Sequence, residues 1–485
     1  MKLDNLQPTE VFKYFEEICS IPHGSNNVEK ISNYLVGFAK EHNLKYRQDE
    51  SFNVIIWKEA SAGYENYPSV ILQGHMDMVA VKEDTSSKDM EKDGLDIFVD
   101  GDFIKADKTS LGGDDGIAVA FALAIMASDT IKHPAIEAIF TVNEEIGMLG
   151  AAVIDVSDLK SRLMLNIDSE DEGVFTAGCA GGAVVECYLP LTKSPSNGVK
   201  VSMNIAGLTG GHSGVEIICQ RANSNILTGR ILNRLRESFE FGVIDINGGE
   251  KDNAIAKFTS VNLVIDEYDI EEFKSTLDSI IEEIKNEYQI TDPDMNITYT
   301  VADNSDNYDC FEHDCLSNVI TALNMLPNGI AKMSLEIPGL VQTSDNIGIV
   351  KTTDDSICIF CSVRSSVESE KEWLINKVVS FIEFLGGFCK ITGPYPAWEY
   401  KSHSPLREHM IRQYTKLYGK EPVVETIHAG VECGIIADKL PGLDCISFGP
   451  DIIDIHTTKE KLSISSVERT WKLILSVLEN INEVK

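Results

Sequence analysis

The stretch Ser110-Leu111-Gly112-Gly113-Asp114-Asp115-Gly116 runs directly into Ile117-Ala118-Val119-Ala120-Phe121-Ala122-Leu123-Ala124. A glycine turn here feeds a helix that is apolar on every face, and such a helix has to be buried. Its surroundings supply the cover. Asn53–Trp57, Ser69–Leu72, Ile136–Val142 and Arg162–Ile167 read as strands, while Thr9–Cys19 and Asn27–His42 carry helical periodicity. Strand alternating with helix predicts an α/β unit, with a mainly parallel sheet and helices on both faces.

From about Ala183 the texture changes. Strands are expected at Ala183–Leu189, Val199–Ile205, Gly242–Ile246, Ala254–Val264 and Asn296–Val301, with helices at 216–240 and Glu271–Tyr288. A shorter echo follows: helices Ser317–Met325 and Lys371–Leu385, and strands near Ile347–Lys351, Ile357–Val363 and Phe388–Ile391. Each half resembles a split βαβ unit with two helices on one face of an antiparallel sheet. After Pro394-Tyr395-Pro396 the α/β texture returns. The chain therefore reads as a first domain split between 1–182 and 397–485, interrupted at 183–396 by an inserted α+β domain built by internal duplication.

A net charge of −34 argues against nucleic acid and anionic membrane as partners. No apolar run approaches the ~18 residues that span a bilayer. The N-terminal residues lack the pattern of a signal peptide, and eleven scattered cysteines suit reduced thiols, so a cytoplasmic protein is expected. Cys358 and Cys361 lie on one apolar strand and read as core rather than as a redox or metal pair.

Chemistry gathers where the strands end. The first buried strand delivers Gly74-His75-Met76-Asp77, the next Asn143-Glu144-Glu145, and the third Asp168-Ser169-Glu170. Open α/β sheets place ligands at the carboxyl ends of their strands. Asp77, two residues on, is expected to orient His75. Asp115 reads as a helix cap, but Asp114 belongs with the strand-end groups. His456, before the last helix, adds a second imidazole. Two histidines and several carboxylates suit Zn²⁺, Mn²⁺ or Co²⁺. The set exceeds one tetrahedral ion and suits two ions ~3.5–4 Å apart, with Asp114 as the candidate bridge. Of the adjacent glutamates, one can ligate while its neighbour takes the proton of the attacking water.

These motifs, with Thr209-Gly210-Gly211-His212-Ser213-Gly214 and His428-Ala429-Gly430-Val431-Glu432-Cys433-Gly434, resemble the di-metal peptidase family of carnosinases, aminoacylases and glutamate carboxypeptidases. The likeness is nearest to its aminoacyl-histidine dipeptidase branch and extends over essentially the whole chain. The resemblance implies that His75 and Asp168 hold one metal, Glu145 and His456 the other, and Asp114 both. It makes Glu144 the general base and Asp77 the partner of His75. It also makes His212 a lid-domain donor to the oxyanion, Asn253 a substrate contact, and Arg364 the anchor of the substrate's terminal carboxylate. His428 and Glu432 receive no role from it.

The function that follows is hydrolysis of dipeptides, including Xaa-His and β-Ala-His, with two divalent metal ions, Zn²⁺ first. The partner is a small peptide. Monomer and homodimer both remain open, and a doubled lid implies that His212 serves its own chain. An aminoacylase or tripeptidase on the same scaffold is the alternative, and a non-catalytic metal-dependent binding protein a more distant one.

Overall fold

The computed structural model describes residues 2–484. They divide into two compact units: Met1–Gly178 with Tyr400–Thr426 and Val431–Lys485, and Cys179–Glu399 with Ile427–Gly430.

The first unit is built on a sheet whose strands lie in the order Lys45–Gln48, Val54–Lys58, Ile136–Thr141, Val70–His75, Leu163–Asn166, Asp444–Ser447, Val174–Cys179, Val423–Ile427. The four from Ile136–Thr141 to Asp444–Ser447 are mutually parallel. Val70–His75 and Ile136–Thr141 are buried along their whole length, as continuous apolar runs in a covered parallel sheet should be. Helix Gly113–Ala127 is buried from Gly113 through Met126, packed against strand Val70–His75 and helix Thr9–Cys19. Gly74 permits that closeness: a Cβ there would lie 2.5 Å from Asp115 Oδ2 and 2.6 Å from Ala118 Cβ. A small antiparallel sheet of Ile97–Asp100, Phe103–Ala106, Lys461–Ser463 and Ile452–Ile453 completes the unit. Strands of two to four residues carry too little alternation to stand out in the sequence.

In the second unit one pattern occurs twice. One half runs strand Lys193–Ala206, helix Ser224–Leu235, strands Phe241–Gly248 and Thr259–Ile265, helix Ile270–Glu287, strand Asn296–Phe311. The other runs strand Gly181–Pro190, helix His313–Met325, strands Ile347–Thr352 and Ser356–Ser365, helix Glu368–Phe384, strand Phe388–Tyr395. In each half the strands lie side by side in the order fourth, first, third, second, and the two second strands pair to make one continuous sheet. The halves are nested, because the outer half's first strand precedes the whole inner half. Gly181–Pro190 accordingly pairs with Ser356–Ser365 and Phe388–Tyr395.

The expected helix over 216–240 is instead a turn, Ile217–Cys219, followed by helix Ser224–Leu235. Gln220 at φ 51° stops the first, and Asn223 starts the second by accepting from the Asn225 and Ile226 amides. The strand expected over Asn296–Val301 continues to Phe311, because Lys193–Ala206 runs beside it throughout. Cys358 and Cys361 are buried free thiols on strand Ser356–Ser365. Among the described residues no helix is long and apolar enough to cross a membrane.

Asp345, at the end of strand Val341–Asp345, is fully buried, and its Oδ2 has no hydrogen-bond partner among the described residues. Burial pushes its pKa up to about 7, against a smaller opposing effect of the Asn346 amide. The folded chain thus keeps a proton that the unfolded chain releases near pH 4. The stability this carboxyl contributes is full below pH 4 and is lost as pH rises through 7, with an upper bound of about 4 kcal/mol. Asp345→Asn, which cannot ionise, is expected to gain on the wild type in urea unfolding between pH 4 and pH 8. A gap that stays constant with pH would exclude this account.

Candidate metal centre

The carboxyl ends of the parallel strands bring the acidic and histidine residues into one cluster. His75 is the last residue of its strand, and Asp168 follows Leu163–Asn166 by two. Asp114 sits at the start of the buried helix, held there by Gly112 in the left-handed region at φ 68°. The two carboxylate oxygens of Asp114 face different histidines. Oδ1 lies 3.1 Å from His75 Nε2 and Oδ2 lies 3.1 Å from His456 Nε2. Asp168 Oδ1 is 3.6 Å from His75 Nε2, and Glu145 Oε2 is 2.9 Å from His456 Nε2. Two candidate ligand sets result, His75–Asp114–Asp168 and Asp114–Glu145–His456, each with its donor atoms within 4.8 Å of one another.

The charges within this cluster act strongly on one another. Burial opposes ionisation of Asp114, but hydrogen bonds to His456 and His75 prevail and hold its pKa below the ordinary range. Burial also opposes a charge on His75, yet the Asp114 and Asp77 carboxylates raise its pKa well above the usual value. His456 is pushed up to about 10 by its hydrogen bonds with Asp114 and Glu145. Burial, reinforced by Glu432, Glu145 and Asp114, pushes Glu144 up to about 8 against the pull of His75. Burial chiefly raises Asp168 and Asp115 well above the carboxylate range.

A pair of divalent cations fits this arrangement. The donors are imidazole nitrogens and carboxylate oxygens in two groups sharing one residue, and Glu145 Oε1 is buried with no protein partner among the described residues. Such a mixed N/O set suits Zn²⁺, Mn²⁺ or Co²⁺.

Asp77 faces His75 through both its backbone carbonyl and its carboxylate. His75 Nδ1 lies 2.9 Å from the Asp77 backbone carbonyl and 3.6 Å from its Oδ1. The carbonyl is therefore the nearer acceptor, so Nδ1 carries a hydrogen and Nε2 faces Asp114. The Asp77 carboxylate also accepts from the Glu144 amide at 3.0 Å and the Ser25 hydroxyl at 2.8 Å, bracing the loop that carries the paired glutamates. Asp115 is no helix cap: buried under Gly74, its Oδ2 accepts from the His75 amide at 3.2 Å.

Two buried acids beside the cluster went unassigned in the sequence. Glu432 Oε2 accepts from the Thr141 hydroxyl and the Gln73 amide, each at 2.6 Å, and burial pushes its pKa up to about 7. The signal for it was present in Gln73, Thr141 and Asn166, polar residues set into largely apolar strands. Glu460, four residues after His456, accepts from the consecutive amides of Leu111, Gly112, Gly113 and Asp114.

The second unit holds the remaining predicted residues. His212 lies on the short strand Gly211–His212, opposite Ala254, and the Ser213 amide donates to the Asn253 carbonyl at 2.9 Å. The Asn253 side chain is exposed. His212 Nδ1 accepts from the Gly214 and Val215 amides at 3.2 and 3.3 Å, so a neutral ring carries its hydrogen on Nε2. Burial first, then Arg364, lowers its pKa, favouring that neutral ring. Arg364 donates from Nη1 to the Tyr395 hydroxyl at 2.7 Å, while its buried Nε has no partner among the described residues. His428 belongs to the same group. It is 2.7 Å from Ser344 Oγ through Nε2, and burial together with Arg364 and His212 lowers its pKa to about 3.

The chain belongs to peptidase family M20/M25/M40, whose model matches residues 71–480. It is 35% identical, over 99% of both chains, to the cytosol non-specific dipeptidase of Escherichia coli. The crystal structure of aminoacylhistidine dipeptidase from Vibrio alginolyticus superposes with a TM-score of 0.91 at 33% identity, covering 99% of this chain and 98% of that one. Aminopeptidase PepT from Bacillus cereus shares the fold alone, with a TM-score of 0.56 at 14% identity over 98% of this chain and 99% of that one.

Proposed function

We propose that this chain is a two-metal dipeptidase acting on short peptides with free termini, aminoacyl-histidine dipeptides among them, in the cytosol as its Escherichia coli relative's name says of that protein. The observation that carries the reading is Asp114, whose two oxygens each face a separate imidazole–carboxylate group. His75 and Asp168 would hold one ion, Glu145 and His456 the other, and Asp114 both, with Zn²⁺ the leading candidate and Mn²⁺ or Co²⁺ next. Bound there, the ions supply Lewis acidity and make water more acidic.

The protein's own groups carry the proton and the charge. Glu144 takes the proton of the attacking water and returns it to the leaving amine. Asp77 holds the Glu144 amide, fixing the base over the cluster. His212, neutral with its hydrogen on Nε2, donates to the oxyanion. Arg364 takes the terminal carboxylate, and Asn253 contacts the peptide.

The test is a panel of Xaa-His, β-Ala-His and other dipeptides with N-acyl amino acids and tripeptides, assayed with Zn²⁺, Mn²⁺ and Co²⁺ after chelation. Dipeptides should lead, and only with metal restored. Preference for acyl amino acids or tripeptides would give the function to the alternatives, and full activity after complete chelation would remove the mechanism.

His212→Ala is expected to lower kcat by roughly 10²–10³-fold with metal content unchanged. Mixed with a Glu144→Gln protein, it should recover nothing, since the doubled lid supplies His212 from its own chain. Recovered activity would place the histidine across a dimer.

A further inference from the structure

Glu460 is 3% exposed, yet no cation pairs with it among the described residues. Its charge is met by backbone alone. Oε2 accepts from the Leu111 amide at 2.8 Å and the Gly112 amide at 3.1 Å, while Oε1 accepts from Gly113 at 2.8 Å and, more weakly, from Asp114 at 3.4 Å. Four successive amides converge on one carboxylate because Gly112 adopts the left-handed conformation, folding the chain into a concave anion cradle. The last of these amides belongs to Asp114.

The other end of the link is equally specific. Glu460 closes a short turn that begins near His456: its amide donates to the Thr457 carbonyl at 3.3 Å, and the Thr457 hydroxyl donates to the Asp454 carbonyl at 2.7 Å. Strand Lys461–Ser463 follows at once and pairs with Phe103–Ala106. The carboxylate thus joins the turn bearing Asp114 to the turn bearing His456. Both must be held for Asp114 Oδ2 to stay 3.1 Å from His456 Nε2. The opposite side of Asp114 has its own brace, since Asp115 Oδ2 accepts from the His75 amide.

We infer that Glu460 is a positioning residue for the second ligand group, Asp114–Glu145–His456, and that it sets this group's hold on its ion more strongly than that of the His75–Asp114–Asp168 group, with which it shares only Asp114. This rests on the two-metal reading of the centre. Glu460→Gln keeps the volume and puts a donor where two amides need an acceptor, so it breaks half the cradle without opening a hole. Gly113→Ala perturbs the same contact from the other side, because a Cβ there would lie 3.3 Å from Glu460 Oε1.

The experiment is a Co²⁺ titration of the full chain after chelation, followed by calorimetry and by the visible absorption of the bound ion, with thermal unfolding of each chelated protein alongside. The expected result is two equivalents in wild type. In Glu460→Gln the first should be little changed and the second weakened by tenfold or more, with altered absorption of that second ion. Gly113→Ala should move the same equivalent in the same direction by less. Kinetically, kcat should fall at low metal and recover at high metal with KM unchanged, a pattern that a loss of fold would not give. Two equivalents bound by Glu460→Gln as in wild type would overturn the inference. So would equal weakening of both in step with a lower unfolding temperature, or a Gly113→Ala protein with wild-type second-ion affinity should Glu460→Gln not fold. A wild-type protein that takes up fewer than two ions would remove the metal-centre reading itself, and this inference with it.

Discussion

Glu144→Gln should lower kcat by roughly 10²–10⁴-fold, the range general acid–base catalysis supplies, while the protein stays folded and keeps both metals. The substitution is isosteric and leaves the backbone amide that donates to Asp77 in place, so the loop has no reason to move. Glu144 also stands outside both ligand groups. What changes is proton affinity. A carboxylate in this position can take the proton of the attacking water. An amide cannot take that proton at any pH. Metal analysis and steady-state kinetics on one sample decide it: full metal content with wild-type kcat would take the general-base role from Glu144.

Asp114→Ala is expected to cost both ions, not one. Every other candidate ligand falls in a single group, but Asp114 falls in both, with one oxygen toward each. Its removal should weaken each ion by more than the roughly 10–100-fold that outer hydrogen-bond partners cost, and turnover should fall below detection at micromolar metal. His75→Ala and His456→Ala provide the comparison, since each strips one group only. The measurement is metal content after equilibration in a metal buffer. An Asp114→Ala protein that keeps one ion at wild-type affinity would mean that the carboxylate does not bridge.

Much of this centre was legible in the sequence for a physical reason. A buried parallel strand reads as an unbroken apolar run, so the residue where it stops is conspicuous, and His75, Glu144, Glu145 and Asp168 all stand at such stops. The apolar helix marked Asp114 in the same way. What stayed hidden depends on direction and distance rather than composition. The sequence places Asp77 near His75 but cannot say that its backbone carbonyl is the nearer acceptor or that its carboxylate also reaches the Glu144 loop. Asp115 looks like a cap until Gly74 lets the strand close on it. Glu460 has no neighbours in sequence that hint at the Leu111–Asp114 amides, and Glu432 meets Gln73 and Thr141 only after the sheet assembles. The nesting of the second unit was hidden similarly, because strand Gly181–Pro190 is indistinguishable by pattern from a first strand of the inner half.

That nesting has a topological side. Lys193 and Phe311, the two ends of the inner half, are direct partners across a strand pair. At the next level out, Cys179 and Trp398 exchange two backbone hydrogen bonds, at 2.9 and 3.1 Å. Each excursion of the chain therefore returns to the point where it departed, and each exit is pinned to its entrance. For the polypeptide path the stretch from Cys179 to Trp398 is a closed detour. With both gates tied, Asp168 and His456 stand much nearer along the bridged path than their places in the sequence imply. Lengthening such a detour is thermodynamically mild, about 0.6 kcal/mol for each doubling of a flexible loop. A metal centre drawn from both ends of the chain is, in this sense, a short-range construction.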